Sequence, residues 1–122
     1  MRAAVVVWPG GEHSFRLGIA EFEGLQRDTD CGPEWLARRL STGEHHFRDP
    51  LDVLRWGLIG GGMAPDKAKH LVERALDYMP PSAFKAPALE VLLAGYYGPA
   101  DDPVGKPSLA GETTPSSESA ES

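Results

Sequence analysis

Apolar and polar residues change period along this chain, and the changes divide it into elements. Val5 and Val7 alternate with Ala4 and Val6, and Phe15 and Leu17 alternate with Ser14 and Arg16, which is the two-residue period of a strand. Between them lies Trp8-Pro9-Gly10-Gly11-Glu12-His13. Pro9 presets φ, and the two glycines tolerate the positive φ of a tight turn. The pattern predicts a β-hairpin over residues 3–18. Two strands alone are marginal in water, so this hairpin must pack on helices or on another subunit's strands.

Helical spacing follows. A short helix can open at Gly18 with Ile19, Phe22 and Leu25 turned inward. Gly32-Pro33 opens the next, since proline suits the first helical position, and its apolar face is Leu36 and Leu40 with Trp35 beside them. Asp49-Pro50 repeats the device, with Asp49 as the cap and Asp52 favourably placed near the positive end of the helix dipole. That helix carries Leu51, Val53, Leu54, Trp56, Leu58 and Ile59 on more than one face, which predicts the central, most buried helix. Gly60-Gly61-Gly62 stops it, and a left-handed C-terminal cap is the geometry expected there. Pro65-Asp66 then opens an amphipathic helix with Ala68, Leu71, Val72, Ala75, Leu76 and Met79 on one side. Pro80-Pro81 ends it. A last helix opens at Pro87 with Leu89, Leu92, Leu93 and Tyr96 inward, and Gly98-Pro99 closes it. The predicted fold class is α+β: an N-terminal β-hairpin packed on a bundle of about five short α-helices.

Composition separates residues 1–98, one domain, from residues 99–122. The latter are Pro, Gly, Ser, Thr, Ala and acid, with Val104 and Leu109 as the only larger apolar residues. Such a segment buries too little apolar surface to offset the entropy of ordering, so a disordered tail is expected. Asp101, Asp102, Glu112, Glu118 and Glu121 against Lys106 leave it at −4 of the chain's net −6. The acidic balance, without any basic cluster, argues against nucleic acid and anionic membrane surfaces as partners. Cys31 is the single cysteine, which excludes an internal disulfide and a cysteine-based zinc site. No run approaches the roughly 20 apolar residues of a membrane span, and the expected location is the cytoplasm.

Candidate chemistry changes the picture little. The glycine run follows a helical pattern rather than a strand, and Met63 stands where a phosphate loop has lysine, so it reads as a helix-to-helix turn. His45 and His46 are adjacent, a poor spacing for joint chelation; with Asp49 four residues after His45 they offer at most a weak metal site, for which spacing suggests no third ligand, and a polar loop is expected. Cys31, Ser14, Ser41, Ser82 and Thr42 lie in no nucleophile signature. The carboxylate pairs Glu21/Glu23 and Asp28/Asp30 do not share a helix face. The expectation is a protein with no catalytic residues, no cofactor and no metal. A hydrolase or metal enzyme would instead need a bound metal or a cleft with a perturbed His or Asp pair.

Four segments carry a resemblance. Phe15-Arg-Leu-Gly-Ile-Ala-Glu-Phe-Glu23 resembles an LxLGALAELE segment, and Asp52-Val-Leu-Arg-Trp-Gly-Leu-Ile-Gly-Gly-Gly-Met63 resembles DVxxxLRxGLIGGGM. Ala68-x2-Leu71-Val72 and Leu92-Leu-Ala-Gly-Tyr-Tyr-Gly98 match the same pattern. Together they resemble the gene transfer agent family of small tail-module proteins from tailed phages and phage-like particles, over residues 3–98. Ile19 and Phe22 depart from it, standing where smaller or Leu-type residues are usual. The resemblance implies a tail assembly chaperone that binds the tape measure protein and recruits tail tube subunits. The alternative is a structural tail component, tail tube or minor tail protein, retained in the particle. Self-association, as a homo-oligomer, is expected with the chaperone reading. The candidate partner contacts are Val5, Val7 and Trp8 on the hairpin, and Leu58, Ile59 and Met63 at the glycine stop.

Overall fold

The structure is a computed structural model and describes residues 3–98. The tail expected over 99–122 lies outside the described residues. The hairpin is present as β1 (Ala4–Trp8) and β2 (Gly11–Phe15), antiparallel, joined by the Pro9-Gly10 turn. Ala4 pairs with Phe15, Val6 with His13 and Trp8 with Gly11, so one face of the ribbon carries Val6, Trp8 and Phe15 into the core. The other carries Val5, Val7, Glu12 and Ser14 outward.

Five helices and a short 3-10 turn follow: α1 (Ile19–Thr29), α2 (Pro33–Thr42), α3 (Asp49–Gly60), α4 (Pro65–Ala75), the turn Pro81–Phe84 and α5 (Lys85–Tyr97). The α+β expectation therefore holds. The Gly-Pro start of α2 is as expected, with Gly32 extended before Pro33. At α1, Glu21 accepts a hydrogen bond from the Gly18 N–H (2.8 Å), the glutamate half of a capping box. Helix α3 is the hub, touching α1, α2, α4, α5 and β2, and Leu51, Val53, Leu54 and Leu58 are all buried.

Several expectations need correction. Ile19 is 82% exposed, because the buried side of α1 runs through Gly24, Leu25 and Thr29 instead. Asp49 is the first residue of α3 rather than its cap; its buried carboxylate accepts the His46 N–H (2.9 Å) and closes the turn before the helix. Helix α4 stops at Ala75, and Met79 lies in turn structure and is exposed. Bonds from the N–H groups of Leu76, Asp77 and Tyr78 reach back only three residues, and Pro80 disfavours helix at Met79. Helix α5 begins two residues earlier than Pro87, which sits harmlessly in the first turn. Its buried face is Ala88, Val91, Leu92 and Gly95, while Leu93 and Tyr96 are exposed. Alanine and glycine let α5 approach β1 and Leu17 closely; a Cβ on Gly95 would stand 2.9 Å from the Leu17 Cβ.

Candidate interaction surface

The glycine stop is built as a seat. Met63 N–H bonds to the Leu58 carbonyl (3.0 Å) and Gly62 N–H to the Ile59 carbonyl (3.0 Å), the paired bonds of a Schellman motif. Gly62 supplies the positive φ, +113°, so the expected C-terminal cap falls on this residue. The preceding glycines serve a different need. A Cβ on Gly60 would lie 1.8 Å from the Arg16 carbonyl oxygen, and one on Gly61 would lie 2.1 Å from that of Ser14. The end of α3 is thus pressed against the backbone of β2 and its exit, where Arg16 N–H bonds to the Gly57 carbonyl (3.0 Å). This seat covers the outer edge of β2 and positions the hairpin.

The predicted contact residues divide sharply. Val5 and Val7 are 62% and 73% exposed on the outer face of the ribbon. Ile59 and Met63 are half-buried against the core. Leu58 is buried, because it faces inward from the hub helix. Trp8, expected as a partner contact, is only 4% exposed and offers a partner little surface. Strand alternation places its indole on the Val6 face, edge-on to Phe15 and to Phe84 of the 3-10 turn. The indole N–H donates to His13 Nδ1 (2.8 Å) across the hairpin, so the buried donor is satisfied. Leu58 and Trp8 therefore contribute stability rather than contact area.

Sequence reasoning missed a second apolar surface, where Trp35, Tyr96 and Tyr97 line a cleft with Pro33, Glu34 and Arg38. Arg38 stacks over Trp35 (5.3 Å), and Tyr96 meets Tyr97 edge-on (5.0 Å). The Tyr97 hydroxyl donates to Glu34 (3.0 Å), and this bond raises the tyrosine's pKa. No local signal marks it: Leu93 and Tyr96 turn outward on α5, and the C-terminal end of α5 lies beside the start of α2.

A polar cleft between α1 and α3 is lined by Asp28, His46, Phe47, Arg48, Asp49, Asp52, Arg55 and Lys69. Asp28 accepts hydrogen bonds from the Trp56 indole (2.8 Å) and Arg55 (2.8 Å). Arg55 also lies 3.5 Å from Asp52. Burial works to raise the pKa of Asp28, but the Trp56 and Arg55 bonds outweigh it and hold it below the usual value. Burial raises that of Asp52, against the opposing pull of Arg55 and Arg48. Two carboxylates pushed apart in this way can mark an acid and a base. Here both face arginine, the lining holds no hydroxyl or thiol, and the group ties α1 to α3. Cys31 is buried, and that burial raises its thiol pKa and disfavours the reactive thiolate. Among the described residues no group of three or more His, Cys, Asp or Glu could hold a metal ion, and no helix is long and apolar enough to cross a membrane.

The Asp28 clamp carries a pH signature. Its lowered folded pKa stabilises the domain above the unfolded value of 3.8, and that stability drains away as pH falls through the folded value. Asp52 has the opposite sign, since its charged form is disfavoured on folding. Asp28→Asn should therefore lower stability at neutral pH by about 1 kcal/mol and should cost progressively less under acid. Urea unfolding of both proteins at neutral and acid pH checks this; an equal difference at the two pH values would refute it.

What the surface offers is exposed apolar and aromatic contact area: Val5 and Val7 on the ribbon, Trp35 and Tyr97 at the cleft. The family model described as phage tail tube protein, GTA-gp10, matches residues 2–98, which is the whole described domain. No curated protein and no solved structure matches the chain. With the resemblance at Phe15–Glu23 and Asp52–Met63 and the family match pointing the same way, the chain belongs to the GTA-gp10 phage tail tube protein family.

Proposed function

We propose that this protein is a non-catalytic structural component of a phage or gene transfer agent tail, working through protein–protein contacts. The observation that carries the reading is the family match over residues 2–98, which spans the hairpin, the glycine seat and all five helices rather than a shared motif. Its exposed apolar groups, Val5 and Val7 on the ribbon and Trp35 and Tyr97 at the cleft, suit association. Its partners are then copies of itself and other tail-module proteins, met in the cytoplasm of the producing cell during assembly. The net charge of −6 disfavours direct grip on nucleic acid or an anionic membrane.

A second reading is the assembly chaperone, which would bind the tape measure protein and recruit tail tube subunits without staying in the particle. The aromatic cleft supports it, because exposed Trp and Tyr side chains suit capture of an apolar segment. Mass spectrometry of purified particles separates the two. A tail component should be present in many copies; abundance in producing cells with absence from particles would overturn the structural reading in favour of the chaperone.

A further inference from the structure

We infer that β1 pairs edge to edge with β1 of a second copy, antiparallel, joining two hairpins into one four-stranded sheet. Among the described residues, β1 has backbone partners only on its β2 side. In a hairpin with a two-residue loop, the closing pair Trp8/Gly11 exchanges hydrogen bonds, and bonded and non-bonded pairs alternate from there. Val6 therefore bonds to β2, while the N–H and C=O groups of Val5 and Val7 point away from it. These are the same two residues whose side chains stand exposed on the outer face.

The strand lacks the usual guards of an open edge. Ala4–Trp8 contains no charge, no proline and no bulge, and its register runs unbroken. A copy can approach its own mate without bringing like charges together, since the ribbon's Glu12 lies on the far strand. The occupant follows from the other edge. The glycine end of α3 already covers β2 at Ser14 and its exit at Arg16, so β2 has no full-length edge to offer a neighbour's β1. Two copies joining sheets must use β1 on both sides, which makes the contact two-fold symmetric.

The register follows as well. Centring the axis on Val6 sets Val5 against the mate's Val7 and uses every outward N–H and C=O of these residues. The four valines then form one apolar ribbon on the outer surface. Two five-residue strands bury less than the roughly 1,200 Å² of a standard interface. The pair should accordingly be weak and concentration-dependent. It closes on itself, so growth along a tail needs another face.

The pairing rests on the tail-component reading for its choice of partner. The test is sedimentation of the full chain from about 10 µM to 1 mM, a range that brackets weak dimers, with amide hydrogen exchange at both ends. The expected result is a monomer–dimer equilibrium in which the Val5 and Val7 amides slow at high concentration. Val5→Lys with Val7→Lys places four like charges about the axis and should raise the dimer dissociation constant at least tenfold. These side chains are exposed, so thermal unfolding should remain near wild type. Val7→Pro removes one edge donor and should act in the same direction. A chain monomeric throughout, or a dimer indifferent to these changes, overturns the pairing. Protection of Val5 and Val7 that appears only with another tail protein overturns it too. If the chain is monomeric yet present in purified particles, the pairing fails while the tail reading stands.

Discussion

Trp8→Ala should destabilise the domain by about 3–5 kcal/mol, the range for removing a large buried aromatic. The indole fills the space between Phe15 and Phe84, and it bonds to His13. Trp35→Ala provides the contrast, because that ring lies exposed under Arg38 and its loss should change stability little. Urea denaturation of the three proteins measures both effects. Equal midpoints for the two variants would show that Trp8 is not a core residue. The prediction also bears on partner binding: loss of binding in Trp8→Ala would report loss of the hairpin, and Val5 and Val7 are the positions that test the surface.

Gly60→Ala should cost about 3 kcal/mol, at the upper end of overpacking effects, because the obstructing atom is a backbone oxygen rather than a yielding side chain. For a domain of this size that is a fall in Tm of about 12–24 °C. Relief would require β2 to lift from α3, breaking the bond from Arg16 to Gly57. Gly32→Ala is the control, since a Cβ there meets nothing within 4 Å and φ is −70°. Scanning calorimetry that finds the two variants alike would remove the close-approach account of the seat.

The elements were legible in the chain because proline and glycine mark their ends and the apolar period changes between them. The hairpin, the Pro33 start, the hub character of α3 and the Gly62 cap all follow from local rules. Side-chain direction was legible only where one face is polar. Helix α5 is apolar almost all round, so its spacing could not choose between the Leu93/Tyr96 face and the Ala88/Gly95 face; close packing against β1 and Leu17 decided it. Trp8 was misplaced for a related reason. Its position at a turn suggested exposure, whereas the parity of the strand and the distant Phe84 determined its burial. The aromatic cleft joins residues some sixty positions apart, from Trp35 to Tyr97, and no local pattern announces such a meeting.

The glycine seat also orders events in time. Synthesis makes the hairpin well before Gly57–Gly62, and a bare ribbon of this length is marginal in water. Closing the bond between Arg16 and Gly57 means bringing together residues separated by the whole of α1 and α2. The hairpin is thus laid down early and secured late, which leaves the β2 edge at Ser14 and Arg16 uncovered on the growing chain until α3 has emerged. A neighbouring nascent chain on the same messenger would meet that edge before the domain has closed.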